Sequence, residues 1–320
     1  MGVRTAARQV TAAAFIEFFR VSSAVSKTKS IQRTVFFHFN FWHSLVMFNV
    51  VPTATVALVL ATSACTVQSD RTSIPSRTSQ RDATPWSDEF NGPAGVLPDP
   101  SVWTYDLGSK GGWGNGELQS YTANTNNVRL DGLGHLIIRV ESMGNAYTSA
   151  RLKTQGLRAV HFGRLEARIK LPVGQGIWPA FWMLGTSFNG RNWPQAGEID
   201  VMEYRGHQIS VVHATVHGPQ YSGGNGLSAP YNLPTGNFSD GFHTFTVLWE
   251  PASMRFAVDG AVYHSLTPKQ IPSGSEWVFD QPFFVLLNVA VGGAFPGPPD
   301  ASTAFPQEMI VDYVRYSPLT

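Results

Sequence analysis

The chain has 320 residues and a balanced charge, with 23 Lys and Arg against 22 Asp and Glu. Charged residues make up only 14% of the chain, and no basic run indicates a nucleic-acid partner. With 30 Gly and 21 Pro, the composition favours a turn-rich, all-β, secreted protein.

The N-terminal part of the chain contains a long segment without charge. Residues 34–69 carry no Lys, Arg, Asp or Glu, and the run from Val46 to Ala64 is dominated by Val, Leu and Ala. We interpret residues 1–65 as an N-terminal extension that includes a secretory or lipoprotein-type signal. Asn49 and Pro52 count against a permanent membrane span. The protein is therefore predicted to be secreted or to be a cell-surface lipoprotein.

Cys65 is the only cysteine, so the domain that follows has no internal disulfide. Its place directly after the apolar run resembles a bacterial lipoprotein cleavage site, at which this cysteine would be lipidated. Thr62 stands where such sites usually carry Leu. Free secretion, with Cys65 as a stray residue of the signal, is the alternative.

Residues 66–85 are rich in Ser, Thr, Arg, Asp and Pro and have little to bury, which is typical of a flexible linker. From residue 86 to 317 apolar residues mostly alternate with polar ones, the period of β-strands. Asp259-Gly260 between two such runs predicts a two-residue hairpin. No stretch has a helical stripe with caps. We therefore predict one all-β domain, a two-sheet antiparallel β-sandwich, and expect a monomer.

The most informative stretch is Glu198-Ile199-Asp200-Val201-Met202-Glu203. On a regular strand Glu198 and Asp200 share a face, whereas Glu203 falls on the other. One extra residue among Val201 and Met202, a β-bulge, would bring all three acids to the same face. Glycoside hydrolysis with retention needs such a pair of carboxyl groups, roughly 5 to 5.5 Å apart, one as nucleophile and one as acid/base.

The plain alternative is that these acids form a solvated strand face. Their neighbours count against it, because the segment Ile177 to Leu184 before them and Tyr204 after them are rich in aromatic side chains. Aromatic rings beside carboxylates suit the apolar faces of sugar rings.

This motif resembles the signature of glycoside hydrolase family 16, in the form with the extra bulge residue that is typical of laminarinases, agarases and carrageenases. Further similarities are spread along the chain, at residues 88–92, 112–122, 162–172 and 305–315. The resemblance implies a β-jelly roll of the concanavalin A-like kind with a substrate cleft on its concave sheet. It also implies Glu198 as nucleophile, Glu203 as acid/base, and Asp200 as the residue that helps set the protonation of the pair.

The same resemblance suggests residues that bind substrate. Trp178 and Trp182 are four positions apart and therefore share a strand face, although both could be core residues. His217 matches a histidine near the cleaved bond, although a lone histidine is often purely structural. Asn115 and Arg164 are further expected contacts, and an arginine paired with an acid would look the same in sequence.

Phe295 in Gly293-Ala294-Phe295-Pro296-Gly297 stands where laminarinases often carry Trp, so it keeps a stacking face and loses the indole donor. Glu89 and Asp312 match positions that can contribute to one structural calcium ion, and two surface acids are the alternative. No His and Cys cluster has the spacing of a zinc site, and no cofactor is expected for catalysis.

The resulting prediction is a retaining endo-glycosidase that hydrolyses β-1,3-glucan of the laminarin type. The enzyme alternatives are other activities of the bulged group: agarase, carrageenase, galactanase or mixed-linkage glucanase. The other alternative is a non-catalytic glucan-binding module. The loss of a glutamate would mark that module, and both Glu198 and Glu203 are present.

Overall fold

A computed structural model describes residues 84–144 and 146–319. The predicted N-terminal extension and signal, with Cys65, lie outside these residues, as does nearly all of the predicted linker. The expectations for those segments therefore stay predictions. Within the described residues, no helix is long and apolar enough to cross a membrane.

The described residues form two β-sheets. The first part of the chain contributes β1 (Trp86–Asp88), β2 (Thr104–Asp106), β3 (Gln119–Tyr121), β4 (Val128–Leu130), β5 (Leu136–Met143), β6 (Ala146–Ser149), β7 (Arg151–Lys153), β8 (Gly163–Lys170) and β9 (Ile177–Gly185). The second part contributes β10 (Glu198–Tyr204), β11 (Val211–His217), β12 (Leu227–Asn232), β13 (His243–Glu250), β14 (Ser253–Val258), β15 (Ala261–Leu266), β16 (Phe283–Val291) and β17 (Gln307–Ser317). Two short 3-10 helices, Thr186–Asn189 and Gly223–Asn225, lie in loops.

One sheet has seven strands in the order β12-β11-β10-β9-β16-β7-β2. The other has ten strands; its main path runs β15-β14-β13-β8-β17-β5-β6-β3, with β1 beside β17 and β4 beside β5. The predicted two-sheet sandwich is confirmed, as is the β-jelly-roll fold. One detail differs from an entirely antiparallel arrangement: β3 and β6 pair in parallel.

The alternation of side chains on β16 explains how the sandwich forms both a core and a binding surface. Phe283, Val285 and Leu287 belong to the core between the sheets. Phe284 and Leu286, at the positions between them, face the other way and form a separate apolar cluster with Leu184. The seven-stranded sheet is therefore apolar on both faces over this strand.

The predicted hairpin at Asp259-Gly260 is confirmed. It joins β14 to β15, and both turn residues have positive φ, 48° at Asp259 and 82° at Gly260. This conformation is that of a type I′ turn, which matches the twist of the two strands it connects.

Candidate active site

The predicted bulge in β10 is present and has the predicted effect. Against β9, Asp200 pairs with Trp182 and Met202 pairs with Phe181, so Val201 is the additional residue. Val201 and Met202 are both buried in the core. Because both side chains point inward, Glu203 returns to the face of Glu198 and Asp200.

All three acids line one cleft on the outer face of the seven-stranded sheet. The cleft has a volume of about 610 Å³. Its floor is formed by residues from five adjacent strands, among them Asp106, Arg151, Leu286, Asn288, Trp178, Trp182 and Glu198. Five strands spaced about 4.8 Å apart span roughly 19 Å, so the cleft is an elongated groove across the sheet.

Glu198 lies at the start of β10, directly after Gly197. Gly197 has φ of 77°, and a Cβ there would come within 3.0 Å of the Phe283 ring and of Val278. Trp193 Nε1 donates a hydrogen bond to Glu198 Oε2 at 2.7 Å. The Glu198 carboxyl group is therefore held at the cleft by a side chain that comes from the loop before the strand.

Glu203 is held by longer contacts. Trp178 Nε1 donates to Glu203 Oε1 at 3.2 Å, and the Thr215 hydroxyl lies 3.3 Å from Glu203 Oε2. Trp178 comes from β9 and Thr215 from β11, so the two strands that flank β10 together orient this carboxyl group.

Asp200 is the most buried of the three acids, with 3% of its surface exposed. His217 Nε2 lies 3.3 Å from Asp200 Oδ2, so the predicted histidine does lie beside the acids. Side-chain atoms of Glu198, Asp200 and His217 lie within 4.8 Å of one another. Asp200 thus lies next to the carboxyl group of Glu198 and within reach of an imidazole.

Burial is the largest influence on these carboxyl groups, and it raises the pKa of all three. The charge of Asp200 raises the pKa of Glu198 further, and the charge of Glu203 raises the pKa of Asp200. His217 acts in the opposite direction and lowers the pKa of both glutamates. The site therefore retains protons at pH values at which free carboxyl groups are ionised.

The hydrogen bonds indicate how the protons are distributed. Glu198 accepts the shortest bond, from Trp193, which favours its ionised form. Asp200 Oδ2 is buried, and although His217 Nε2 lies 3.3 Å from it the two atoms form no hydrogen bond, which disfavours a charge there. Burial and then the charge of Glu203 raise the pKa of Asp200, and its hydrogen bond with Glu198 lowers that pKa by less. An ionised Glu198 beside a protonated Glu203 is the state that the predicted roles of nucleophile and acid/base require.

Both predicted tryptophans are cleft residues. Trp182 Nε1 donates to Asn288 Oδ1 at 2.7 Å, and the Arg151 guanidinium carbon lies 4.6 Å from the centre of the Trp182 ring. The same guanidinium lies 4.7 Å from the centre of the Trp113 ring. Arg151 is thus stacked between two tryptophans, and Asp106 Oδ2 lies 3.0 Å from its Nε.

The predicted contact residue Asn115 also lines the cleft. Its amide donates to Glu117 Oε1 at 2.9 Å, while Gln119 donates to Glu117 Oε2 at 2.6 Å. Asn288 joins this network by donating to the Tyr121 hydroxyl at 3.0 Å. Fixed polar groups on this side of the cleft are therefore connected from the 113–117 loop to β16.

Sequence reasoning missed several cleft residues: Trp113, Glu117, Arg151, Trp193 and Asn288. Trp113 and Glu117 lie within the segment that carries the family resemblance, and Trp193 precedes the acidic motif by five positions. Their positions in the sequence could therefore have predicted them as cleft residues. Asn288 and Arg151 had no comparable signal, because they come from strands distant in sequence.

Of the two remaining expected contacts, Phe295 lies beside the cleft and Arg164 lies on the other sheet. Phe295 packs on Trp178, with ring centres 5.2 Å apart, and so borders the cleft. Arg164 does not reach it. Arg164 lies on β8 of the ten-stranded sheet, and its Nε donates to Glu166 Oε2 at 2.8 Å. The expected substrate contact of Arg164 is therefore wrong, and the alternative of an arginine paired with an acid applies.

The predicted calcium ligands are occupied by arginines. Glu89 accepts two bonds from Arg315, at 2.9 and 2.7 Å, and Asp312 accepts one from Arg168. Within the described residues, Glu89 and Asp312 belong to no group of three acidic, His or Cys side chains close enough to share an ion. Both acids are thus paired with arginines, and a calcium ion at this place stays a prediction.

A β-sandwich whose groove carries three clustered acids beside tryptophans is typical of a polysaccharide-cleaving glycosidase. Residues 115–315 match the profile of "Glycosyl hydrolases family 16". The chain belongs to this family.

The chain is similar to several proteins named as glucanases. The "Beta-glucanase" of Rhodothermus marinus is 42% identical over 243 residues, which cover 72% of this chain and 83% of that protein. The endo-β-1,3-glucanase structure from Pyrococcus furiosus is 46% identical with a TM-score of 0.68, and the match covers 73% of this chain and 94% of that one. The laminarinase catalytic domain from Thermotoga maritima is 44% identical with a TM-score of 0.69, covering 75% and 99%.

Proposed function

We propose that the protein is an endo-1,3-β-glucanase that cleaves laminarin-type glucan with retention at the anomeric carbon. The observation that carries this proposal is the bulged strand β10, which presents Glu198, Asp200 and Glu203 together in an elongated groove. The similarity to enzymes named as β-1,3-glucanases supports the substrate. A groove roughly 19 Å long suits binding along the interior of a polymer.

In the first step, ionised Glu198 attacks the anomeric carbon while Glu203 gives its proton to the glycosidic oxygen. The carbon–oxygen bond to the leaving sugar breaks, and a covalent glycosyl ester with Glu198 forms. The raised pKa of Asp200 favours its protonated form beside Glu198, which reduces repulsion among the three acids.

In the second step, Glu203 is ionised and acts as the base. It removes a proton from a water molecule, which attacks the anomeric carbon and releases Glu198. A second sugar can replace water at this stage, which would yield a longer glucan instead of a free reducing end.

The test is reducing-sugar release by the purified protein on laminarin, curdlan, lichenan, agarose and carrageenan. Release from laminarin and curdlan that disappears in Glu198→Ala is the expected result. Release from agarose or carrageenan alone would retain the mechanism and overturn the substrate. Binding to laminarin without release would instead support a glucan-binding module.

We also propose that the protein is exported and that Cys65 is lipidated. The uncharged run before Cys65 supports this proposal. Expression in a bacterial host, followed by membrane fractionation and mass spectrometry, tests it. A lipid-modified N-terminal Cys65 is expected, with release to the soluble fraction in Cys65→Ala. A soluble wild-type protein without the modification would refute lipidation. The proposal does not include a calcium ion at Glu89 and Asp312, because arginines already pair with both acids.

A further inference from the structure

Arg205 lies just beyond the end of β10, two residues after Glu203. Tyr204 between them is fully buried in the core, so alternation places Arg205 on the same side of the sheet as Glu203. The Arg205 guanidinium carbon lies 4.1 Å from the centre of the Phe295 ring. Phe295 in turn packs on Trp178, whose indole donates to Glu203. Arg205 therefore belongs to the surroundings of the proposed acid/base.

Within the part of the chain that the structure describes, the Arg205 guanidinium has no carboxylate or hydrogen-bond partner, and only the Arg205 carbonyl oxygen is bonded, by the Gln208 N–H. The Arg205 Nε is buried without an acceptor. Arginines in such positions normally pair with an acid or a carbonyl group, because an unsatisfied buried donor is costly. Arg151, which lines the cleft, contrasts with Arg205, because Asp106 Oδ2 lies 3.0 Å from Arg151 Nε and neutralises that guanidinium.

A second unsatisfied nitrogen lies at the same place. His213 Nε2 is buried with no partner, and the His213 ring centre lies 5.4 Å from that of Phe295. Burial, and then the charge of Arg205, lower the pKa of His213, which favours its neutral imidazole. A neutral imidazole and a guanidinium around an aromatic ring suit a neutral ligand with several hydroxyl groups.

The role of Glu203 indicates which sugar unit of the substrate lies beside Arg205. Glu203 gives its proton to the glycosidic oxygen, so the sugar on its side is the one that leaves. We propose that Arg205 binds the leaving sugar, with its terminal N–H groups donated to hydroxyl oxygens and with Trp178 and Phe295 as the adjacent apolar wall. This inference rests on the proposed function, because it assigns a side to the same glycosidic bond.

The test compares two substrates of the full-length protein. Laminari-oligosaccharides place a glucosyl unit at the leaving position, whereas a 4-nitrophenyl β-laminaribioside places a phenol there. Arg205→Gln should lower kcat/KM on the oligosaccharides by about 10- to 100-fold, as expected for losing hydrogen bonds from a charged donor. The same variant should change kcat/KM on the aryl glycoside by less than about threefold, because that substrate has no sugar at the leaving position.

Arg205→Lys separates the donor geometry from the charge alone. Lysine keeps the charge and lacks the planar guanidinium. We therefore expect Arg205→Lys to recover less than about a third of the kcat/KM on oligosaccharides that Arg205→Gln loses. Full rescue by lysine, an equal loss on both substrates, or no loss on the oligosaccharides would overturn the proposal. Arg255→Gln, at a half-exposed arginine on β14, is the matched control and should change neither rate. Failure of the wild-type protein to cleave any β-1,3-glucan would instead refute the proposed function.

Discussion

The indole nitrogen of Trp193 donates a 2.7 Å hydrogen bond to the Oε2 atom of Glu198. Trp193 comes from the loop between β9 and β10 and is 41% exposed, so the proposed nucleophile depends on a side chain outside the sheet. The Trp193 ring also lies 5.9 Å from that of His217. One loop residue thus contacts both ends of the group formed by Glu198, Asp200 and His217.

Trp193→Phe removes this donor and retains an aromatic ring. We expect kcat on laminarin to fall by about 10-fold or more, because one hydrogen bond to a charged group is lost. That bond lowers the pKa of Glu198, so its removal raises this pKa further. Because Glu198 attacks in its ionised form, the acidic limb of the pH–rate profile should move to higher pH. Trp277→Phe, at a partly buried tryptophan whose indole nitrogen has no partner, is the control. An unchanged acidic limb would argue against the role of Trp193.

Glu203→Gln should reduce hydrolysis of laminarin by about 10² to 10⁴, the usual contribution of general acid–base catalysis. On an aryl glycoside with a phenolate leaving group, the first step needs no proton, so the burst of released phenol should persist. Glu198→Ala should abolish release from both substrates. Stopped-flow absorbance measures the burst, and a burst retained in Glu198→Ala but lost in Glu203→Gln would exchange the two roles.

Asp200→Asn should be more stable than the wild type, and the difference in the free energy of unfolding should grow as the pH rises. Burial, and then the charge of Glu203, raise the pKa of Asp200 in the folded protein. A group with a raised folded-state pKa destabilises the fold as pH rises through that value, because the charge must then be buried. The asparagine variant resembles the protonated form, so its free energy of unfolding should exceed that of the wild type by about 1 to 3 kcal/mol at pH 8.

The stability gain of Asp200→Asn should vanish at pH values of about 3, at which the wild-type carboxyl group is protonated in both states. Thermal unfolding of the wild type and the variant at pH values between about 3 and 8 measures this difference in stability. Asp280→Asn, at an exposed aspartate, is the control. A variant less stable than the wild type at pH 8 would contradict the expected burial cost. Activity should fall in parallel, since Asp200 contacts the nucleophile.

Deletion of Val201 tests the bulge. Met202 would still pair with Phe181 and Glu203 with Ala180, so the acids would keep their common face on a regular strand. We expect this variant to retain measurable hydrolysis, with a stability loss of about 1.5 to 3 kcal/mol for one buried side chain.

Insertion of one alanine after Met202 is the opposite change. The extra residue turns Glu203 toward the core, because side chains alternate along a strand. Hydrolysis of laminarin should then fall at least as far as in Glu203→Gln. Reducing-sugar assays and circular dichroism distinguish this result from unfolding. An inactive Val201 deletion that keeps its β-sheet spectrum would show that the bulge does more than orient Glu203.

Much of the site follows from local sequence. The period of two predicts strands, and three acids separated by one and then two residues predict a bulge if they are to share a face. Trp178 and Trp182 follow from the same alternation on the neighbouring strand. These predictions succeed because strand geometry depends on the next few residues alone.

The rest depends on pairing between distant segments. Arg164 matched the family segment as well as Asn115 did, but it lies on the other sheet, and only the strand order reveals this. The contact of Trp193 with Glu198 depends on how a loop folds back over β10, and that of Asn288 with Trp182 depends on the register of β16 against β9. The sequence by itself determined which acids share a face and the class of chemistry they perform. The tertiary structure decided which donors, charges and aromatic rings surround each acid, because those contacts join residues whose separation along the chain carries no periodic signal.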